Sequence, residues 1–180
     1  VSSHGILLGR KIRSMSVLSR SLLGLCLCVF SCLAWSAGFD SEYDEKPWAE
    51  IEVQLPAFPE QENLVPFKVG SVSDKQFFVD GASISVGSDD VIRYSLVVVS
   101  STGAQSISFE GMRCATGERR VYAFGRSDKT WSKARGNSWV KLQGGSNNHN
   151  VALYSDYFCT VAERAIVSQK DAIRVLRYGR

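Results

Sequence analysis

The chain has 180 residues, 44% hydrophobic and 11% aromatic, with 21 Lys and Arg against 18 Asp and Glu and a formal net charge of +3. That is one domain's worth of sequence, enough to bury a single core. Five cysteines and two histidines occur without any Cys-x-x-Cys, and no glycine-rich phosphate loop or serine-centred nucleophile elbow appears, so the common metal, nucleotide and hydrolase signatures are excluded.

The apolar run Ser21–Trp35, with Arg20 before it and Ala34-Trp35-Ser36-Ala37 after it, is shorter than the about 20 residues a spanning helix needs and reads as an export signal. Met15 is the expected start of that signal, and residues 1–14 read as an overhang ahead of it. Cleavage after Ser36 places Ala34 and Ser36 where the peptidase requires small side chains. The rival is a lipoprotein signal at Val29-Phe30-Ser31-Cys32, with Cys32 acylated, although Phe30 is large for that box. The expected location is therefore the periplasm, or the outer membrane if Cys32 carries lipid.

Removal of residues 1–36 takes away Arg10, Lys11, Arg13 and Arg20 and leaves 17 cations against 18 anions. The balance is uneven. Residues 40–62 carry eight acids, Glu50 and Glu52 among them, against Lys46 alone, and the rest of the chain is basic by six charges. One part can bind the other, or the acidic stretch can be a solvated lead over residues 37–47. Cys26, Cys28 and Cys32 leave with the signal, and the remaining pair, Cys114 and Cys159, is expected to form one disulfide in an oxidising compartment. A metal site is the competitor, but His149 is the only histidine after the signal.

From Trp48 onward a single α+β domain is expected, over residues 48–180. Ile51, Val53 and Leu55 alternate with Glu50, Glu52 and Gln54 and predict a half-buried strand. Pro56, Pro59 and Pro66 then predict an extended surface crossing over 55–67. Phe77-Phe78-Val79 running into Asp80-Gly81 predicts a hairpin, with Ser83–Val86 as its return strand. Val91–Ser100 is a long apolar run and predicts a central strand covered on both faces. Ile107 and Phe109 open the next strand, in which Gly111 predicts a bulge. A further strand covers Arg119–Gly125, and Trp131 and Trp139 mark two short ones. The sheet is expected to be antiparallel, twisted or partly rolled.

After the loop that begins at Gly144, two helices are predicted. The first runs from Asn150 to Phe158 with Leu153, Tyr154 and Phe158 on one side. The second begins at Ser168, where Asp171 completes a capping box and Val167 with Ala172 a staple, and ends at Gly179. Ile173 and Leu176 form its core face, and Arg174, Arg177 and Arg180 lie where the helix dipole favours cations.

Lys46-Pro47-Trp48-x-Glu50, Leu55-Pro56-x-x-Pro59, Arg93-Tyr94, Phe109-Glu110-Gly111-x-Arg113-Cys114, Tyr122-Ala123-Phe124-Gly125, Trp131 and Asp156-Tyr157-Phe158-Cys159 together resemble the cryptic neisserial protein-like family. The resemblance spans essentially the whole chain after the signal. It implies an exported, periplasmic protein of Gram-negative bacteria, a lipoprotein in some members, with no assigned activity.

Three classes of function compete. A binding module is favoured by eight Lys and Arg between Arg113 and Lys141, interleaved with Tyr122, Phe124, Trp131 and Trp139. Arg119, Arg120, Tyr122, Arg126, Trp131 and Trp139 are the candidate ligand-binding residues, with Arg120, Tyr122 and Phe124 expected on one strand face. The expected partner is an anionic envelope component or an envelope protein, with no nucleic acid, no cofactor and no transmembrane segment once the signal is gone, and the pattern specifies no oligomeric state. The plainer alternative is that the aromatics are core and the cations line the wet side of the same strands. A small envelope inhibitor of a hydrolase such as lysozyme fits in size and disulfide, with Ser127-Asp128-Lys129 or Ser146-Asn147-Asn148 as its inserting loop. An enzyme would use His149 with Asp156 or Glu163, or the carboxylates Glu110 and Glu118, and is the least expected.

Overall fold

A computed structural model describes residues 47–70, 73–145, 147–159 and 166–179. The expectations for the signal, its cleavage, Cys32 and most of the acidic lead lie outside the described residues, as do those for Ser146 and Glu163.

Among the described residues seven strands form one antiparallel sheet: β1 (Leu64–Phe67), β2 (Gln76–Val86), β3 (Val91–Val99), β4 (Gln105–Arg113), β5 (Glu118–Gly125), β6 (Trp131–Lys133) and β7 (Val140–Lys141). The first six follow in chain order, and β7 shares the outer edge of β5 with β6. β6 lies against residues 123–125 and β7 against 118 and 119. β3 is central, as its apolar run predicts, and its first seven residues are buried. Short turns carry the reversals, where positive φ at Asp90, Gly103, Gly117 and Lys129 fits the chain to tight geometry.

The sheet differs from the sequence expectation in three places. Residues 48–55 form no strand, and the sheet begins at Leu64, inside the stretch 55–67 expected to cross the surface: Leu64–Phe67 pairs with β2 as an edge strand that buries Val65 and Phe67 and leaves Pro66 exposed. The apolar alternation there breaks at its start, since Ile51 is 43% exposed while the Glu50 side chain is only 12% exposed, and only Val53 keeps the inward place expected of it. Pairing charge beneath the chain decides its orientation, not hydrophobicity. Asp80-Gly81 is no hairpin but a bulge inside the continuous strand β2, where the register passes from Asp80 opposite Ser95 to Ser85 opposite Arg93. Asp80 Oδ1 accepts from the Ala82 amide at 3.0 Å, and Ser83 Oγ donates to Asp80 O at 2.8 Å and accepts from the Ser95 amide at 2.7 Å. These local bonds absorb the extra residues that a hairpin would have used. The bulge expected at Gly111 lies on the partner strand instead, where Phe109 pairs with Ala123 and Glu110 with Val121, leaving Tyr122 as the extra residue.

The helical part follows β7. α1 (His149–Ala152) is capped by Asn148, whose side chain accepts from the Asn150 amide, and continues as a π-type turn over Leu153–Phe158. The wider turn sets Leu153 and Phe158, five residues apart, both fully buried. α2 (Gln169–Tyr178) starts at Ser168, whose side chain accepts from the Asp171 amide, and ends at Gly179 with φ 78°. Ala172, Val175 and Leu176 are its buried residues. Val167 is 75% exposed and makes no staple; its amide donates to Asp171 Oδ2 at 3.3 Å instead. α2 rests on the β2 bulge, with Ile173 against Gly81 and Gln169 Nε2 donating to Gly81 O at 2.8 Å.

The two faces of the sheet are closed by different means. On one, Val79, Ile92, Tyr94, Leu96 and Met112 join Leu153, Phe158, Ala172 and Leu176 in the main core. A disulfide from Cys114, just after β4, to Cys159, just after the π-type turn, ties the sheet to the helices with Cα atoms 5.4 Å apart. On the other face, Phe109, Tyr122 and Ala123 form a small cluster against Val53 and Trp131. That face is crossed by residues 47–59, an extended strap without ladder pairing.

Candidate functional site

Arg93, third residue of β3, lies on the strap side because its neighbours Ile92 and Tyr94 belong to the main core. It is 4% exposed, which is costly for a guanidinium unless it is paired. Asp89, in the turn before β3, supplies the pairing through bonds of 3.1 Å to Nη1 and 2.6 Å to Nη2. Burial works against the charge on Asp89, but Arg93 and the Ile51 amide outweigh it and hold the carboxyl below the usual range. Burial likewise opposes the charge on Arg93, and Asp89 and Glu50 more than restore it.

Glu50 completes the centre. Its carboxylate accepts from Arg93 Nη2 at 3.3 Å, from Trp139 Nε1 at 3.2 Å, and, through short bonds, from Arg120 Nη1 and the Tyr122 hydroxyl. Four donors from β3, β5 and the segment before β7 thus meet on one carboxylate brought in by the strap. Burial, and then the Glu50 carboxylate, push the Tyr122 hydroxyl well above its usual pKa, so it stays a proton donor. Glycine at 111 makes room for it: a Cβ there would lie 2.9 Å from Cε2 and 3.0 Å from Cζ of Tyr122.

The strap has further anchors. Trp48 Nε1 donates to Asp89 O at 2.8 Å, the Ile51 amide to Asp89 Oδ2 at 3.1 Å, and Trp131 Nε1 to Pro56 O at 2.9 Å. The Trp48 ring meets the Trp139 ring edge-on at 5.9 Å, and Arg113 Cζ sits 3.6 Å from its centroid. Beside this cradle a cavity of about 440 Å³ opens between strap and sheet. Arg120, Tyr122 and Lys133 line one side, and Ile51, Val53 and Leu55 the other.

Of the six candidate binding residues, Arg120, Tyr122 and Trp139 converge on Glu50. Trp131 lies further along the same face, 5.3 Å from Phe58 and 6.3 Å from Phe109. Arg119 is on the opposite face, where Nη1 donates to the buried Glu110 at 3.4 Å, and Arg126 sits in the exposed β5–β6 turn, bonded to Ser132 at 3.3 Å. The expectation that Tyr122 and Phe124 share a face with Arg120 fails at Phe124, which is 49% exposed while Tyr122 is buried. The bulge at Tyr122 shifts the alternation for the residues after it. Glu50, Arg93, Asp89 and Trp48 were not among the candidates, although the charge contrast between residues 40–62 and the rest points to such an internal pairing.

The alternative sites are placed apart. His149 stacks on Phe77 with centroids 5.4 Å apart, and Asp156 accepts from Ser155 at 2.7 Å. Glu110 is buried and accepts from Ser108 at 2.7 Å; burial raises its pKa, against the pull of Ser108 and Arg119. Glu118 instead pairs with Arg113 at 3.2 Å and Lys141 at 3.7 Å, so the two carboxylates serve different clusters. Asp128 accepts from the Thr130 amide at 3.1 Å and hydroxyl at 2.6 Å and fixes the exposed 127–130 turn. Among the described residues no group of three His, Cys, Asp or Glu is placed to hold a metal ion, and no helix is long and apolar enough to cross a membrane.

Residues 43–177, nearly the whole of the described fold, match the family described as CNP1: CNP1-like family. The chain belongs to the CNP1-like family. No curated protein and no solved structure matches it. In this CNP1-like chain, the stretch that matches takes in the strap, every strand, the disulfide and α2 up to Arg177.

Proposed function

We propose that the protein is an exported, non-catalytic binding module of the cell envelope, periplasmic or held at the outer membrane through Cys32, and that it binds an anion carrying an apolar group. The observation that carries this reading is the cavity of about 440 Å³ with Lys133, Tyr122 and the Glu50–Arg120 pair on one wall and Ile51, Val53 and Leu55 on the other. Two cations against one acid on one side, with Lys133 outside the Glu50–Arg120 pair, and apolar surface on the other match an amphiphile whose head is a phosphate or carboxylate. The disulfide between Cys114 and Cys159 supports an oxidising compartment. A binding role without chemistry is supported by the way the ionised groups of the site are spent on one another, Asp89 on Arg93 and Glu50 on Arg120.

The test is calorimetric titration of the protein with dodecyl phosphate below its critical micelle concentration. Saturable binding, weakened tenfold or more in Arg120→Ala and in Lys133→Ala and reduced by salt, is expected. No saturable binding, or binding untouched by both substitutions, rejects the reading.

A second reading, inhibition of an envelope hydrolase, is favoured by the turn at 127–130, where Asp128 is exposed and fixed by Thr130 while Lys129 holds φ 62°. Titrating lysozyme activity with the purified protein tests it; stoichiometric loss of activity, absent in Asp128→Ala, is the outcome it requires.

A further inference from the structure

The cradle under Glu50 is built by the sheet and by the segment just before β7, and is filled by a segment that is not part of the sheet. Arg93 is fixed by Asp89, in the turn before β3, at 2.6 Å and 3.1 Å. Tyr122 is placed by the β5 bulge and by the missing side chain at Gly111. Its donors also exceed what one carboxylate uses, for Arg93 Nε and Arg120 Nε are both buried without a hydrogen-bond partner. A receptor of this kind, planar guanidinium groups beside a phenol and an indole N–H, selects a carboxylate.

The resident occupant is held at points and not along its length. Residues 47–59 have no ladder pairing. Trp48, Ile51 and Leu55 each keep more than a third of their surface exposed, so little apolar burial ties them down. What sits in the cradle is therefore an extended peptide, with one acidic side chain next to apolar ones, fastened at Trp48, Glu50, Ile51 and Pro56 without a ladder.

We propose that the cradle formed by Arg93, Arg120, Tyr122 and Trp139 is a peptide-carboxylate receptor, in which Glu50 is exchanged for an acidic side chain on an extended segment of a partner protein. Release of the strap uncovers the Phe109–Tyr122–Trp131 cluster, and the incoming segment covers it again with its own apolar side chains. This inference goes beyond the amphiphile reading and does not depend on it, because the amphiphile is bound with the strap in place and the peptide with the strap displaced.

The experiment uses the full chain and a fluorescein-labelled peptide with the sequence of residues 47–59, followed by fluorescence anisotropy. The Glu50→Gln protein, with its own anchor removed, is expected to bind that peptide at least tenfold more tightly than the unaltered protein. The same peptide carrying glutamine in place of its first glutamate is expected to bind at least tenfold more weakly, and Arg120→Ala added to Glu50→Gln to abolish capture. A folded Glu50→Gln protein that ignores the peptide, or takes both peptides equally, overturns the inference. Complete competition by equimolar inorganic phosphate also overturns it, by marking a site for small free anions. Should Glu50→Gln fail to fold, hydrogen exchange of the unaltered protein in excess peptide decides: faster exchange at the Ile51 amide supports exchange of the strap, and unchanged protection overturns it. Dodecyl phosphate titrated into the unaltered protein reports on the amphiphile reading separately.

Discussion

The indole of Trp139 donates to the carboxylate of Glu50 over 3.2 Å, across 89 positions of sequence. The segment before β7 and the strap are thereby fastened to the same point on the sheet, with Arg93, Arg120 and Tyr122 as the other donors. Replacing Glu50 by glutamine keeps the shape but removes the charge that balances two guanidinium groups. We expect a loss of about 1–3 kcal/mol in urea unfolding. Because Trp48 and Trp139 are both at this point, a red shift of the tryptophan emission in the folded variant should accompany it.

Gly111 and Tyr122 give a steric test of the same site. A Cβ at 111 would press on the Tyr122 ring at 2.9 Å and 3.0 Å, and neither the strand nor the buried ring can yield freely. Gly111→Ala is expected to cost about 1–3 kcal/mol in thermal or urea unfolding. Glycine at 103 meets nothing within 4 Å of a built Cβ but holds φ 83°, so Gly103→Ala should be felt through the backbone alone, at about 1 kcal/mol. An equal, negligible cost at both positions would contradict the packing described.

Much of this architecture was legible because it rests on local rules. The β3 run, the turns at Gly103 and Gly117, the Ser168 cap and the Cys114–Cys159 link each follow from a pattern a few residues long or from the redox setting of a lone cysteine pair. What failed was decided at long range. Alternating Ile51, Val53 and Leu55 imitates a strand, but Arg93 and Arg120 draw Glu50 inward and turn Ile51 out. Asp80-Gly81 imitates a hairpin, but Ser83 bonds both Asp80 O and the Ser95 amide and keeps β2 continuous. The cradle was half visible, in Arg120, Tyr122 and Trp139, while Arg93 was hidden inside the apolar β3 run, where no local pattern marks a buried cation.

The disulfide closes a loop across a sequence separation of 45 residues. In the chain-entropy account, a loop of that length restricts the unfolded state by about 4 kcal/mol. Unfolding midpoints in urea with and without a phosphine reductant measure this. Reduced protein, or the Cys114→Ser and Cys159→Ser pair, should lose several kcal/mol. A shift below about 1 kcal/mol would mean that the main core holds the helices on the sheet by itself.

His149 supplies a pH dependence with a definite sign. Burial, followed by the positive fields of Arg119 and Lys75, lowers its pKa from the ordinary 6.5. Phe77 stacks on its ring. With the folded pKa depressed, the unfolded chain takes up the proton first, so the stabilising share of His149 is complete above about pH 6.5 and is lost as the pH falls through the lowered folded value. Buried Glu110 titrates in the opposite sense but is common to both proteins in a comparison with His149→Phe, which keeps the stacking. The unfolding midpoint of the unaltered protein should fall relative to that variant between pH 7 and pH 5. A constant difference across that range would show that His149 carries no such linkage.

A double-mutant cycle on Glu50→Gln and Arg120→Ala, read by urea unfolding of the full chain, tests the fastening of strap to sheet most directly. Direct partners in one network should be non-additive, with a coupling of about 1 kcal/mol or more. Additivity within about 0.3 kcal/mol would contradict the account, since the acid of the strap and the cation of β5 would then not be sharing an interaction in solution.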